Sequence, residues 1–275
     1  MQVSVILSTY NSTELLDKTL CGYAGQDRRD FSIVIADDGS GPETAQLLER
    51  ARTEHGLQIE HVWHEDDGFR KCTIMNRAAD ECDADYLIFS DGDCVPRRDF
   101  VSTHLELAAP DRFLSGGCFR LNAAATRALT REDVLAGRVT DLNFLNGTLP
   151  RTNIRKSRLQ MGAGLGKFMD SITTTKATWN GHNSSCWREH LLQVNGFDER
   201  MCYGGEDREF GERLMHAGIR PQQVRHRAIC VHLWHDRDYV HAEGIAENRR
   251  IRRSTAERRS QFTDHGIVKT QPPTS

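Results

Sequence analysis

Three groups of side chains have the types and spacings that chemistry needs. The first is Asp91-Gly92-Asp93, which follows the apolar run 86–89. Residues two apart on an extended segment point the same way. Two hard carboxylates facing a cleft suit Mg2+ or Mn2+ with a diphosphate; an isolated D-x-D is otherwise a solvated acidic turn. The second group is His232 and His235, three apart in VHLWHDRD. Imidazole with carboxylate suits Mn2+ and related ions, and the chain has no H-E-x-x-H to support a zinc-protease reading. The third is Tyr203-Gly204-Gly205-Glu206-Asp207. Its glycines let the backbone bring the carboxylates close to a ligand, and a paired carboxylate can take a proton from a hydroxyl. A plain helix start with an acidic first turn reads the same way locally.

The elements that position these groups alternate in kind. Apolar runs at 3–8, 31–36, 57–63 and 86–89 read as strands, each ending in a polar cluster: Thr9-Tyr10-Asn11-Ser12, Asp37-Asp38-Gly39-Ser40, His64-Glu65-Asp66-Asp67-Gly68 and Ser90-Asp91-Gly92-Asp93. Helices are predicted between them, one capped by Ser12 or Thr13, one from Pro42 to about Thr53, and one over 73–82. This alternation predicts an α/β fold with a mostly parallel sheet, whose strand carboxyl ends carry the ligand. The middle, 121–178, is irregular. Residues 151–167 hold five basic side chains (Arg151, Arg155, Lys156, Arg158, Lys167), no acidic ones, and Gly162, Gly164 and Gly166. They read as a loop, either a lid over the site or a solvated surface segment. Residues 206–217 read as an amphipathic helix and 228–233 as a last strand. Residues 241–261 carry six arginines against three glutamates. They read as a solvated helix whose basic face permits contact with phosphate or lipid headgroups.

The 275 residues are 38% apolar and 27% charged, with a net charge of -3. That composition excludes a disordered chain, and the charge gives no basic field for nucleic acid. No apolar run is long enough to span a bilayer, and the first residues lack a signal-peptide pattern. Eight cysteines with no C-x-x-C read as free thiols of a reducing cytosol.

The ordered set TYN, DDGS, DGF, FSDGD, GGED and HLWH resembles the GT-A glycosyltransferases of family two. The block NGFDERMCYGGEDREFGERLMHAG is similar to the galactosyltransferase carboxyl-terminal region shared by β-1,4-galactosyltransferases and chondroitin-polymerase-type enzymes. The resemblance covers about residues 3 to 239 and implies a UDP-sugar donor with Mn2+ or Mg2+. It implies that Thr9, Tyr10 and Asn11 line the nucleotide site and that Asp38 contacts uracil or ribose. Phe69-Arg70-Lys71-Cys72-Thr73-Ile74-Met75-Asn76 is similar to the family's F-N-R-A-K-L-L-N. Lys71 then stands where an arginine meets the nucleotide, with Arg70 able to supply a guanidinium and Asn76 closing the motif. Asp91 and Gly92 would face the nucleotide sugar. Asp93 and His235, the latter in the H-x-R-D context, would bind the metal, and His232 occupies a methionine-ligand position. Tyr203 takes a sugar-packing tryptophan's place, beside Gly205. Glu206 would hydrogen-bond the sugars and Asp207 would be the catalytic base.

The implied reaction inverts an α-linked UDP-sugar to a β-linkage on a glycan or lipid-linked acceptor. The expected organisation is one GT-A domain over 1–240, with a nucleotide half (1–95) and an acceptor half (96–240, including the loop 121–180), then an arginine-rich tail over 241–275. With no second transferase module or membrane anchor expected, the reading is a cytoplasmic enzyme touching the inner membrane face at most through its tail. Alternatives are a non-catalytic sugar- or nucleotide-binding protein on the same fold, and another donor such as UDP-glucuronate.

Overall fold

The computed structural model describes residues 1–146, 154–236 and 241–269. The chain opens with β1 (Val3–Thr9), α1 (Thr13–Ala24), β2 (Ser32–Asp37), α2 (Pro42–His55), β3 (Ile59–Trp63), α3 (Lys71–Glu81) and β4 (Tyr86–Asp91). Pro42 lies in the first turn of α2, where its missing N–H costs no helical bond. Gly56 ends that helix in the left-handed conformation that glycine adopts without strain. Ser12 stands at the start of α1 but makes no capping bond with its side chain.

The chain continues through β5 (Cys94–Pro96), α4 (Phe100–Leu107), β6 (Arg112–Ser115), β7 (Gly117–Arg120), α5 (Ala123–Ala128), α6 (Arg131–Leu135) and α7 (Leu142–Asn146). After it come α8 (Ala163–Ile172), β8 (Ser184–Trp187), α9 (Arg188–Gln193), α10 (Glu206–His216), β9 (Arg220–Gln223), β10 (Ile229–His232) and α11 (Ala242–Arg258). The main sheet has the order β3-β2-β1-β4-β8-β6-β9. All its pairs are parallel except those of β8, which runs against β4 and β6. A smaller sheet has the order β5-β10-β7.

Both faces of the main sheet are covered, as a parallel sheet requires. Val5, Leu7, Ile33, Ile35 and Ile88 pack with Leu16, Leu20, Leu47 and Leu48 of α1 and α2. The alternate residues Ile6, Val34, Ala36, Leu87 and Phe89 pack with Ile74, Met75 and Ala78 of α3. The chain leaves β1 toward β2 and returns from β3 to β4 on the other side of β1. That reversal opens a crevice at the carboxyl ends of β1 and β4, the place where such sheets bind ligands.

Aromatic packing carries α10 to the same edge. Trp179 meets the Phe210 ring edge-on at 4.7 Å, and Phe89, Phe113 and Phe197 complete the cluster. Gly211 permits this approach, since a Cβ there would lie 2.7 Å from Trp179 Cβ. The fully buried Arg213 bonds Glu209 with both Nε and Nη2, and Val194 O with Nη1. A charge in that position is tolerable only because it is paired.

Two expectations need correction. From Ile154 onward the basic stretch is not a loop: a 3-10 helix covers Ile154–Gln160 and α8 follows. Gly166, which suggested a loop, is demanded by packing, because a Cβ there would lie 2.8 Å from His226 O. Residues 151–153, with Arg151, fall outside the described residues, as do the side chains of Arg155 and Lys156. The arginine-rich helix is not merely solvated either. It packs on α10 with Asn248, Ile251 and Thr255 buried, and Arg252 pairs with Glu212. All eight cysteines are free thiols. Among the described residues, no helix is long and apolar enough to cross a membrane.

Candidate active site

Asp91 and Asp93 do not point the same way, because the chain turns at Gly92. Gly92 sits tightly on the end of β1, where a Cβ would lie 3.0 Å from Ser8 O and 3.3 Å from Thr9 Cβ. Asp91 accepts from Lys71 Nζ at 2.7 Å and from Ser8 Oγ at 2.8 Å. Burial opposes its ionisation, but the Lys71 ammonium outweighs that and holds the carboxyl well below its usual range. Burial likewise opposes charge on Lys71, and Asp91, Asp207 and Glu206 together hold its ammonium well above the ordinary lysine value. Lys71 is therefore paired with Asp91 and lies in the field of Asp207 and Glu206.

Asp93 faces the histidines. Its Oδ2 lies 2.9 Å from His235 Nε2 and 3.7 Å from His232 Nε2. The two imidazoles are stacked, 5.4 Å apart. Each Nδ1 lies 2.6 Å from a backbone carbonyl, Leu233 O for His232 and Asp236 O for His235. A carbonyl only accepts, so each Nδ1 donates, which directs each Nε2 toward the carboxylate. A carboxylate oxygen and two imidazole Nε2 atoms converge here, the donor types a divalent ion takes when the rings are deprotonated at Nε2. Adjacent ligand atoms on an ion with bonds of about 2.1 Å stand roughly 3 Å apart. The donor set and its spacing therefore fit a divalent metal, and the carbonyl contacts are of the kind that orient metal-binding histidines. Arg237 and Asp238 of the H-x-R-D context lie outside the described residues.

Asp207 stands in the first turn of α10, after Gly204 and Gly205, both at φ +112°. Only glycine adopts that backbone at little cost. Glu206 Oε2 accepts from Gly204 N at 2.7 Å. The loop is braced from α11: Asn248 Nδ2 donates to Cys202 O at 2.7 Å and to Gly204 O at 3.2 Å. Asp207 Oδ1 is buried and has no hydrogen-bond partner among the described residues. Burial pushes the Asp207 pKa up to about 7; Glu206 and Asp91 add to the shift, while Lys71 and the Gly181 N–H oppose it. A buried acceptor without a partner is costly unless a ligand supplies one.

Gly181 lies directly against this carboxylate. A Cβ there would be 2.9 Å from Asp207 Oδ1 and 3.1 Å from Oδ2. Gly181→Ala is expected to displace the carboxylate and lower kcat/KM for transfer by about 10–100-fold, since misplacing a reacting group by 1 Å costs on this scale. Nucleotide binding and thermal stability should be near wild type; unchanged kcat/KM would show that the position of Asp207 is immaterial.

The other expected residues form a rim. Asn11, at φ 43°, accepts from Gly41 N with Oδ1 and donates its own N–H to Ser40 Oγ. Thr9 O accepts from Asp38 N at 3.0 Å. Tyr10 is half exposed and its hydroxyl donates to Asp66. Asp38 accepts from Arg70 N at 2.9 Å and sits 2.7 Å from His64 Nε2. Burial raises its pKa against those two contacts. Arg70 pairs with Asp67 and bonds Glu65 O, while Lys71 bonds Asp91. Phe69 and Tyr203 meet edge to face at 6.4 Å, which sets Gly205 and its loop beside the nucleotide half.

Asn76 does not join the site. Its amide donates to Phe197 O and Glu199 and accepts from Phe197 N, so it is a buried tie between α3 and the segment before α10. Two site residues, Gly181 and His182, escape the sequence, and His64 is read there only as part of a polar strand end. Burial pushes the His182 pKa down to about 4. Nearby His232, Arg120 and Lys71 add to that shift and Asp91 opposes it, so the ring is neutral near pH 7. Only the G-H-N tripeptide marks it, which has no spacing signature of its own.

A mostly parallel α/β sheet with an acidic turn after its fourth strand and an ion-ready carboxylate–imidazole cluster defines a GT-A transferase fold. The family model for glycosyl transferase family 2 matches residues 4–156. A second, described as the N-terminal domain of galactosyltransferase, matches 171–236. The chain belongs to glycosyltransferase family 2. It is 30% identical over 254 residues to validoxylamine A glucosyltransferase of Streptomyces hygroscopicus subsp. jinggangensis, covering 86% of this chain and 56% of that protein. The chain thus spans little more than half of that relative. Its fold is similar to mannosyltransferase PcManGT from Pyrobaculum calidifontis, solved with GDP-Man and Mn2+, at TM-score 0.61 and 21% identity over 94% of this chain and 64% of that one. It is also similar to S. aureus TarS 1-349 in complex with UDP-GlcNAc, at TM-score 0.60 and 18% identity over 92% of this chain and 65% of that one. At these identities the solved structures speak for the fold alone.

Proposed function

We propose that this protein is a metal-dependent inverting glycosyltransferase. It moves a hexose, galactose or an N-acetylhexosamine, from a UDP-sugar to a hydroxyl of a glycan or lipid-linked acceptor and forms a β-linkage. The observation that carries the reading is Asp207 Oδ1, a buried carboxylate oxygen without a partner among the described residues, in the field of Lys71, which pairs with Asp91 two residues before Asp93. Of the two fold neighbours, TarS is solved with UDP-GlcNAc and PcManGT with GDP-Man and Mn2+; the reading follows the first for the nucleotide and the second for the ion.

Asp207 takes the proton of the acceptor hydroxyl as its oxygen attacks the anomeric carbon from the face opposite UDP. The new carbon–oxygen bond forms as the bond to the diphosphate breaks, and the bonding pair leaves with UDP. A divalent ion held by Asp93, His235 and His232 supplies positive charge to the diphosphate when bound. Lys71 fixes Asp91 toward the donor's ribose, beside Gly92. Thr9, Tyr10, Asn11 and Asp38 bind the nucleoside, and Arg70 presents its backbone N–H to Asp38. Phe69, Tyr203 and Gly205 wall the sugar, and Glu206 accepts from its hydroxyls. For a lipid-linked acceptor at a cytoplasmic membrane face, the exposed Arg249 and Arg253 of α11 would meet anionic headgroups.

The test is donor turnover. Incubation with a panel of UDP-sugars and Mn2+, Mg2+ or EDTA should give slow, metal-dependent release of UDP from one sugar. Absence both of release and of metal-dependent UDP binding by calorimetry would defeat the reading and favour a non-catalytic protein on this fold.

A further inference from the structure

We propose that Cys94 gives the Asp93 site a second, thiophilic mode in which Zn2+ is held by Asp93, His232 and Cys94. This rests on the reading of Asp93 and His232 as metal ligands. Cys94 and His232 are directly opposed in the antiparallel pair of β5 and β10. Cys94 Sγ donates to Asp93 Oδ1 at 3.4 Å. One ligand atom from each of Asp93, Cys94 and His232 lies within 4.8 Å of the other two. His232 already spends Nδ1 on Leu233 O, which leaves Nε2 for an ion.

The chemistry of this set differs from that of Asp93 with two imidazoles. Thiolate, imidazole and carboxylate with an open fourth position form a tetrahedral Zn2+ set, whereas Mg2+ and Mn2+ favour oxygen ligands and leave a thiol protonated. Binding in the thiophilic mode exchanges one proton for one bond: the Cys94 S–H proton passes to solvent and the sulfur lone pair binds the ion. Cys94 is fully buried beside Asp93. An ion held on Cys94 is drawn into the strand and away from His235. Zn2+ therefore competes with the ion that supports UDP binding.

The test uses the whole chain and Co2+ as the probe. Titration should produce a near-ultraviolet thiolate-to-cobalt charge-transfer band that Zn2+ bleaches. Cys94→Ser and Cys94→Ala should both lack the band, and Cys202→Ser should keep it. Circular dichroism and the thermal midpoint report that each variant folds. Zn2+ affinity should fall at least about 10–100-fold in both Cys94 variants, the loss that even an outer partner of a metal ligand causes. Zn2+ binding should release about one more proton in wild type than in either variant. If Co2+ binds wild type without the band, or the band survives in both variants, Cys94 is not a ligand and the thiophilic mode is wrong while the metal site stands. If neither Co2+, Zn2+ nor Mn2+ binds, the metal site and the thiophilic mode fall together.

Discussion

Asp207→Asn is expected to lower sugar transfer by about 10²–10⁴-fold, the contribution of a positioned general base, while UDP still binds in the presence of metal. The Asp207 pKa is raised to about 7 by burial and by Glu206 and Asp91. In the free protein the ionised base therefore appears only as pH climbs through about 7, and kcat/KM should rise with pH over that interval. The same shift has a consequence for stability. A carboxyl with a higher pKa folded than unfolded makes the folded state bind more protons between the two values, so stability falls as pH rises from about 4 to 7. Above about pH 7 the full penalty of a buried charge is present, and the amide removes it. Asp207→Asn should thus raise the melting temperature by roughly 2–6 °C at about pH 8, with little gain near pH 4. A variant that is dead in transfer yet more stable at alkaline pH is the joint signature. Near-wild-type transfer with normal donor binding would remove Asp207 from the role of base.

His235→Ala should severely weaken metal-dependent UDP binding, whereas His232→Ala should keep it with a smaller loss and altered metal preference. The asymmetry follows from geometry: His235 Nε2 is 2.9 Å from Asp93 Oδ2 and His232 Nε2 is 3.7 Å from it. His232 is anchored in β10, while His235 lies beyond the strand end. We expect loss of His235 to weaken Mn2+-supported UDP binding by at least about 100-fold and loss of His232 by roughly 10-fold, on the scale by which ligand-shell changes act. Calorimetry with UDP and either Mn2+, Mg2+ or Zn2+ measures both. Equal losses would mean that the histidines act as one unit, and no loss in His235→Ala would end the assignment of this ion site.

Much of the frame could be read from residues alone. The first four strands and their polar ends follow from alternation of apolar runs with helical patterns, and chain reversal beside β1 does the rest. The site resisted reading wherever a turn decides direction. Asp91 and Asp93 look equivalent as D-x-D, yet the turn at Gly92 sends one to Lys71 and the other to the histidines. Asn76 looks like a ligand in its motif and is a structural tie, because Gly196 lets Phe197 come against its amide. The helix α8 looked like a loop because of its glycines, of which Gly166 serves packing on His226 while Gly164 faces open space. Gly181 and His182 lie far along the chain from Asp207 and Asp91, and only the antiparallel strand β8 brings them there.

Asn248 closes the loop that carries the base. It lies about 160 residues after Asp91, so the two halves of the site are finished at different times during synthesis. At roughly 5–20 residues per second, the nucleotide rim is complete about 10–30 s before the loop can be clamped. A nascent chain therefore acquires the residues proposed for the nucleoside well before it can hold a base in place.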